Sequence, residues 1–400
     1  MILPAEAWRR NQYVMVATVF VVFTGFAFVL PFLPLYVREL GVEDEEQAAL
    51  WAGALIGIAP LLAGFLAPVW GRLADRYGQK GIAVKALVAY VILLVASGAV
   101  TSVVQLLALR IGIGLFGGIG PLGLAMATSL APREETGKAV GMIQAAQILS
   151  AAIGPFAGGF LADHIGIRRT FVVTAGLCAI ALILVLWFYV EAPRASSDES
   201  AVARAGFFDV MRLPSVLPLL VILFLVNFIG RSFTPILPMH LSDLGVGSDR
   251  LASSTGLLIS VYSIAAAVSA TLLGRAARSL PPKGLLAATL VGGALFVLPM
   301  ALVSSFPLLL GLAVLLGLSA GGSLTLCYTI GGLLVPGEVR TTAFGFFAGA
   351  ALFGGAISPS FAGALAHWHV RGIYYVDAVL YLILAVALLA APRKALQSPS

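Results

Sequence analysis

The sequence predicts an all-α membrane protein with twelve transmembrane helices, arranged as two six-helix bundles that are parallel, pseudo-twofold repeats. Three observations predict this class. The 400 residues are 60% hydrophobic and 10% charged, whereas a soluble domain is about 25% charged. The apolar runs are about 20 to 30 residues long, which suits helices that cross a bilayer, and they lack the alternation of barrel strands. Finally, the two halves of the chain match each other at a constant offset.

Charged or Gly/Pro-rich breaks divide the apolar runs into twelve predicted spans. The first run is too long for the core of a signal peptide and no small-residue cleavage site follows it, so we expect it to remain as a helix. Both cysteines, Cys178 and Cys327, lie inside spans, so we expect no disulfide, no metal site and no cofactor. The spans are residues 13–37, 49–70, 81–101, 104–130, 138–162, 170–190, 215–240, 251–273, 284–303, 306–335, 342–366 and 373–391.

The distribution of basic residues predicts the orientation. With the N-terminus in the cytosol, 17 of the 24 Lys and Arg residues fall in cytosolic segments, 5 fall on the opposite side and 2 lie inside spans. The positive-inside rule therefore places both termini in the cytosol of a bacterial-type cytoplasmic (inner) membrane. The same scatter among short loops argues against a nucleic-acid partner, despite the net charge of +6.

The repeat is visible at an offset of 204 residues. The segment PFLPLYVRELGV matches PILPMHLSDLGV, and Pro155 matches Pro359 in the same register. With an even number of spans in each repeat, both halves start on the same side of the membrane. The predicted domains are residues 1–190 and 215–400, each a six-helix bundle, joined by a polar cytosolic linker at 191–214 that is too short to bury a core.

The decapeptide GRLADRYGQK, which begins at Gly71, occupies the cytosolic turn between the second and third spans. A turn that merely obeyed the positive-inside rule would explain Arg76 and Lys80, but not Asp75 or the two glycines. Gly71 and Gly78 permit close backbone approach, and the carboxylate of Asp75 can sit against the positive end of a neighbouring helix.

This decapeptide resembles the signature G-x-L-A-D-R-x-G-R-K of the major facilitator superfamily, with Gln79 at a position that is usually basic. The wider pattern is closest to the twelve-helix drug:proton antiporters of MdtG type. The resemblance implies a latch between the cytosolic ends of the two halves, in which Asp75 meets the eleventh span. The second-half counterpart, GRAARSLPPKG from Gly274, has no acid, so we expect a one-sided latch.

A glycine-rich fifth span, with Pro155 inside it, is partly repeated in the eleventh span. It resembles the antiporter motif of the same superfamily, except that Ser150 replaces one glycine. Small residues let helices approach closely and a proline supplies a bend, although ordinary glycine-rich packing is the alternative. The expected hinge residues are Gly154, Pro155, Gly158, Gly159, Ser358 and Pro359.

The resemblance implies that spans 1, 4, 7 and 10 line a cavity and that spans 2, 5, 8 and 11 form a mobile seam. The few polar residues within these spans are the candidates for contact with substrate. Arg110 is a functional candidate because a buried cation is costly; its alternative is to snorkel to the outer interface. Asn227 and Arg231 are four residues apart and share a helix face. An aromatic residue is equally compatible with packing or lipid contact. The expected substrate-binding residues are Arg110, Gln144, Gln147, Asn227, Arg231, Tyr262, Tyr328, Phe26 and Phe344.

Carboxylates are expected only at span ends or in loops, among them Asp75, Asp163, Glu191 and Asp377. Proton coupling is therefore implied by the resemblance and not by the residues, because a buried carboxylate is the usual coupling group. If protons are coupled, Asp75 or an acid at the membrane edge must carry them, or the substrate itself must.

The expected function is secondary active export of lipophilic small molecules, by proton antiport with alternating access. No nucleotide-binding or hydrolytic motif is found, so we expect no enzyme activity. The expected partners are the substrate, protons and the lipid bilayer, and we expect a monomer. One alternative is a carrier or flippase for an anionic metabolite or lipid that uses Arg110 and Arg231. Another is a receptor or scaffold that does not transport.

Overall fold

The structure is a computed structural model, which describes residues 5–117, 135–191, 216–335, 340–366 and 368–390, together with residues 119, 122, 123, 126 and 213. The described residues form helices and no strand, so the predicted all-α class is confirmed.

We number the α-helices in chain order. They are α1 Ala5–Val29, α2 Leu33–Glu39, α3 Glu45–Tyr77, α4 Gln79–Ala99, α5 Val103–Leu115, α6 Thr136–Ile165, α7 Ile167–Phe188, α8 Val216–Ser232, α9 Leu237–Asp243, α10 Leu251–Ala276, α11 Pro282–Met300, α12 Phe306–Ala320, α13 Ser323–Leu334, α14 Arg340–Ala366 and α15 Gly372–Ala390.

Most predicted spans coincide with helices long and apolar enough to cross a membrane. In the described residues there are ten such spans, and an eleventh if α8 and α9, which meet at a 42° bend, are counted as one. The predicted span at 104–130 corresponds to α5, which has 13 residues; most of the remainder lies outside the described residues. The count of twelve therefore stays a prediction.

Local chemistry sets the helix ends. The side chain of Asp44 caps α3 by accepting a hydrogen bond from the backbone N–H of Gln47 at 2.9 Å, which satisfies one of the unpaired donors of a helix N-terminus. A single glycine separates α3 from α4 and α6 from α7. Gly78 has a φ of 99° and Gly166 a φ of 83°, a conformation that glycine adopts without steric cost. The chain can thus reverse direction between long helices with almost no loop.

Backbone contacts divide the chain into two compact units. The first comprises Met1–Ser197 and Val246–Ser260, and the second comprises Asp198–Gly245 and Val261–Ser400. The first ten residues of α10 thus pack with the first unit, although the sequence-based boundaries place them in the second domain. Within the first unit α1 packs on α6 and α7, and α4 packs on α7; within the second, α8 packs on α14 and α11 on α15.

In the first unit, α1 and α6 approach backbone to backbone. A Cβ at Gly154 would lie 2.5 Å from the Cβ of Ala27, and one at Gly158 would overlap the backbone of Phe28. One turn earlier, the Ser150 hydroxyl lies 2.9 Å from the carbonyl oxygen of Phe20. Small residues therefore allow this approach, and the serine adds polar contact to it.

The second unit repeats this packing between α8 and α14, at the same offset of 204 residues. A Cβ at Gly354 would overlap the carbonyl of Phe224, which is the counterpart of Phe20. The Ser358 hydroxyl donates to the carbonyl oxygen of Phe228 at 2.5 Å, one turn further along. Glycine and serine have exchanged places between the halves, yet each helix pair keeps one close approach and one hydroxyl contact. The sequence repeat is thus also a repeat of contacts.

Candidate functional site

The carboxylate of Asp163 caps the start of α10. It lies in the last turn of α6 and accepts hydrogen bonds from the backbone N–H groups of Ala252 at 3.1 Å and Ser253 at 2.8 Å. These donors belong to the first turn of α10, where N–H groups lack intrahelical partners. The sequence analysis treated Asp163 only as a span-end acid. The overlooked signal was its position, because an acid in the last turn opposes the dipole of its own helix and suits the start of another.

The proline of α6 faces the same part of α10. A Cβ at Gly256 would overlap the carbonyl of Pro155, and one at Gly159 would overlap the carbonyl of Ala252. The backbone N–H of Phe156 donates to the Ser260 hydroxyl at 3.1 Å. The predicted hinge residues Pro155 and Gly159 therefore lie at a close, partly polar contact between α6 and α10 within the first unit.

The predicted latch loop contacts the end of α7. The Lys80 ammonium donates to the carbonyl oxygens of Leu186 at 2.9 Å and Tyr189 at 2.7 Å, while the Lys80 backbone N–H points at the Glu191 carboxylate at 3.2 Å. Gly78 leaves no room for a side chain beside Glu191, whose Oε1 would lie 2.9 Å from an added Cβ. These contacts stay within the first unit.

The remaining residues of the predicted latch contribute less. Gly71 faces open space, and the guanidinium of Arg76 lies over the ring of Tyr77 at 5.3 Å. The side chain of Asp75 lies outside the described residues, so the predicted contact between Asp75 and the eleventh span stays a prediction.

Arg110 on α5 is buried, with 1% of its surface exposed. Its Nε donates to the carbonyl oxygen of Leu55 on α3 at 2.9 Å, and its Nη1 has no hydrogen-bond partner among the described residues. The side chain therefore does not snorkel to the outer interface. A buried guanidinium whose Nη1 donors are unused is costly, which keeps Arg110 a candidate for contact with an acceptor.

The other candidates of the first unit are less enclosed. Gln144 is exposed and Gln147 half-buried on α6. Phe26 of α1 stands edge to face with Tyr90 of α4, at 5.1 Å between ring centroids. Phe26 is therefore engaged in packing between helices, which was the alternative reading of the aromatic candidates.

On α8 the two predicted polar neighbours differ. Arg231 is exposed even though it belongs to a strongly apolar helix, and its aliphatic stem lies beside Gly355 of α14. Asn227 instead donates its side-chain amide to the carbonyl of Leu223 in its own helix at 3.1 Å. Arg231 is therefore free to meet a ligand or water, whereas one donor of Asn227 is used locally.

The aromatic candidates of the second unit form two groups. Tyr262 of α10 packs edge to face against Phe233 at 5.5 Å. Tyr328 of α13 and Phe344 of α14 lie 5.8 Å apart, and Phe347 continues that stack at 5.6 Å. Tyr262, Tyr328 and Phe344 are each half-buried, so part of each ring remains accessible.

A buried polar cluster in the second unit was missed by the sequence analysis. Asp377 lies within α15 with none of its surface exposed, and its Oδ2 is 2.5 Å from the Ser232 hydroxyl of α8. The rings of His240 and Tyr374 meet beside it, with 3.0 Å between Nδ1 and the phenol oxygen. The sequence analysis placed Asp377 towards a span end, and it lies in the second turn of α15, but it is fully buried there. Its place on the buried face of α15, with Tyr374 and Tyr381, was the available signal.

Both a family model and proteins named for multidrug resistance match this sequence. The Major Facilitator Superfamily model matches residues 15–253 and 220–400. The chain is 34% identical over 313 residues to "Multidrug resistance protein MdtG" of Proteus mirabilis, covering 78% of each chain. It is 32% identical over 378 residues to the protein of that name from a Rahnella species, covering 94% of this chain and 92% of the relative.

Solved structures share the fold at low identity. A bacterial homologue of the human lysosomal transporter Spinster, in an inward-facing and occupied conformation, has a TM-score of 0.80 at 17% identity and covers 97% of this chain and 98% of its own. A D-xylose-proton symporter has a TM-score of 0.76 at 16% identity, with 97% and 99% covered. The family model, the relatives and the fold agree with the loop motif and the repeated packing, and the chain belongs to the Major Facilitator Superfamily.

Proposed function

We propose that this protein is a secondary active transporter that exports lipophilic small molecules by proton antiport with alternating access. The observation that carries the proposal is its similarity, over most of its length, to proteins named for multidrug resistance. Its long apolar helices suit a multi-pass protein of the bacterial inner membrane. Both termini would lie in the cytosol, as the positive-inside rule predicts, and the transporter would act as a monomer.

The packing of α6 supports alternating access. The Asp163 cap holds the outer ends of α6 and α10 together. The close packing of Gly159 against Ala252, and of Gly256 against Pro155, adds to this contact. These contacts are small and polar, so they can separate without exposing a large apolar surface. We therefore assign Asp163 to an outer latch that closes the external side while the cytosolic side is open.

A carrier for an anionic metabolite or lipid headgroup is the second candidate. It is favoured by Arg231, which is exposed on an apolar helix, and by the unused Nη1 of Arg110. Fixed cations in a membrane pathway favour anionic ligands. A receptor that does not transport would need neither cation and would show no substrate flux.

Purified protein in proteoliposomes tests the proposal. Vesicles with an acidic interior and a trapped pH-sensitive dye are exposed to ethidium, a lipophilic cation whose charge does not titrate. We expect ethidium to accumulate inside while the interior becomes more alkaline, and protein-free vesicles to show neither change. Transport of an anionic fluorescent lipid without transport of ethidium would favour the second candidate. The absence of any flux would contradict both.

A further inference from the structure

We propose that Asp377 is the proton-binding carboxyl group of this transporter, and that Ser232 transmits its protonation state to the bend between α8 and α9. The inference rests on the proposed antiport function and selects one residue from the span-end acids that the sequence left open. It is carried by the burial of Asp377, by the hydrogen-bond arrangement of Ser232 and by a comparison of the two repeats.

Asp377 has the environment of a carboxyl group that binds and releases a proton. Its side chain has none of its surface exposed. Its Oδ1 has no hydrogen-bond partner among the described residues, and its Oδ2 meets only the hydroxyl of Ser232. A buried carboxylate without a cationic partner costs several kcal/mol, whereas the neutral acid does not carry this penalty.

The contacts of Ser232 match the protonated acid. The Ser232 Oγ lies 2.5 Å from Asp377 Oδ2 and 2.8 Å from the carbonyl oxygen of Ile229. A serine hydroxyl has a single hydrogen to donate. With a proton on Oδ2, Asp377 donates to Ser232, which then donates to Ile229, so both contacts are full hydrogen bonds in the neutral state. A hydroxyl between two acceptors also occurs at Thr174, so the assignment of the neutral acid rests on the burial of Asp377.

Loss of the proton changes the bend of α8. The proton leaves Asp377 for water, and the Ser232 hydroxyl turns from the carbonyl of Ile229 to the carboxylate. Ile229 lies in the last turn of α8, where carbonyls lack intrahelical partners, and the chain turns by 42° between α8 and α9. Deprotonation therefore removes a donor at the break in this span. Ser232 also adjoins Arg231, the exposed cation of the proposed pathway.

Three phenols interact with Asp377: Tyr262 of α10, and Tyr374 and Tyr381, which lie one turn before and one turn after it on α15. The nearest further groups act on these phenols. Arg231 of α8 lies near Tyr262, and His240 of α9 and Arg371 lie near Tyr374. In α11 and α14, which also pack on α15, the only Lys, Arg, Asp or Glu residues are at their first turns. Among the described residues, none of these forms a salt bridge with Asp377.

A route to the outer side runs through polar groups. Tyr374 lies three residues before Asp377, on the same helix face, and its hydroxyl contacts His240 Nδ1 at 3.0 Å. His240 belongs to α9, three residues before Asp243, whose carboxylate pairs with Arg371 at 3.8 Å. Asp243 is 44% exposed in its side chain, so polar groups lie at intervals between the buried carboxyl and the end of the span, with hydrogen bonding between Tyr374 and His240 and ion pairing between Asp243 and Arg371.

The first repeat shows that the fold does not require this acid. Helix α7 matches α15 at an offset of 203 residues. Arg168 donates from Nη1 to the carbonyl oxygen of Val100, just after α4, and Arg371 donates from Nη1 to that of Val303, shortly after α11. In that register Thr174 takes the place of Asp377, and its hydroxyl bonds to the carbonyl of Gly25 on α1. The contact between α7 and α1 therefore uses a neutral hydroxyl, whereas the corresponding contact between α15 and α8 uses a carboxyl group.

Two substitutions test the inference. Asp377→Asn keeps the shape of the neutral acid, and Asp377→Thr introduces the residue of the first repeat. Each is measured in the acid-interior vesicles described above and in counterflow, where ethidium exchanges without a pH gradient. For one proton per substrate, a gradient of about one pH unit supports about tenfold accumulation in the wild type. We expect both variants to lose this accumulation and to retain counterflow with a flat pH profile.

Several outcomes would overturn the proposal. Accumulation at the wild-type level in either variant would exclude Asp377 as the coupling group. Loss of counterflow in both variants would mean that the carboxyl group holds the fold together. Accumulation driven by a sodium gradient in place of a pH gradient would identify a different cation. Asp249→Asn, which removes an exposed acid, is the matched control and should accumulate ethidium normally. If the wild type moves no substrate, the proposed function fails independently of Asp377.

Discussion

Replacing Asp163 by asparagine should open the outer latch. Asparagine keeps one acceptor oxygen but loses the charge and the second acceptor, so Ala252 and Ser253 cannot both keep their hydrogen bonds to it. A hydrogen bond to a charged group contributes about 1.5–3 kcal/mol, and a neutral one about 0.5–1.5 kcal/mol. Because Asp163 is only half-buried, we expect a loss of about 1–2 kcal/mol, which shifts the ratio of open to closed latch by about 5- to 30-fold.

Cysteine labelling measures this shift. Ala252 is 2% exposed at the latch, so a cysteine introduced by Ala252→Cys reacts with a membrane-impermeant maleimide only when α6 and α10 separate. Both native cysteines are buried and should contribute little background. We expect the labelling rate to rise by about 5- to 30-fold when Asp163→Asn is added.

The matched control is Asp249→Asn, which removes an acid with a 74% exposed side chain just before α10. It should leave the labelling rate unchanged, because its carboxylate makes no hydrogen bond to α6 among the described residues. Equal labelling with and without Asp163→Asn would refute the latch, and so would equal increases in the two variants.

Three further predictions concern packing and charge. Gly154→Ala places a methyl group 2.5 Å from a methyl carbon of α1, and such overpacking should lower the free energy of unfolding by about 1–3 kcal/mol. Gly141 faces open space in the same helix, so Gly141→Ala should unfold at the same temperature as the wild type. Gly78→Ala places a side chain on a residue with a φ of 99° and should lower the free energy of unfolding by about 1–3 kcal/mol. Gly81→Ala, whose side chain would face open space, should leave the thermal unfolding temperature unchanged. Arg231→Gln should raise the apparent affinity for ethidium by up to about tenfold, or about 1.4 kcal/mol; an unchanged or weaker affinity would place Arg231 outside the pathway.

The family and the all-α class could be predicted from the sequence because they depend on composition and local patterns. The cost of placing polar backbone in lipid makes a long apolar run a helix whatever its neighbours are. The decapeptide at Gly71 is likewise a local pattern, but the turn predicted for all ten residues is much shorter: Gly71–Tyr77 continue α3, and only Gly78 lies between α3 and α4. The repeat was also visible in sequence, because duplicated prolines and glycines keep their register.

The candidate site could be predicted only in part. Pro155 and Gly159 were expected to be hinge residues because their span resembles the antiporter motif, and both contact α10. Asn227 and Arg231 were paired because they share a face, but the Asn227 amide bonds to its own helix while Arg231 is exposed. Helical periodicity gives the direction of a side chain but not the identity of what it meets.

The sequence by itself determined that this chain crosses a membrane many times, that its halves are repeats and that it carries the superfamily motif. Tertiary structure alone decided which acids are enclosed and what they bind. Asp163 meets donors 89 and 90 residues further along the chain, and Asp377 meets a serine 145 residues away. Hydropathy reports the free energy of moving each residue into lipid, summed along the chain. The protonation and pairing of a buried acid depend instead on the few atoms around it, and helix packing brings those atoms together.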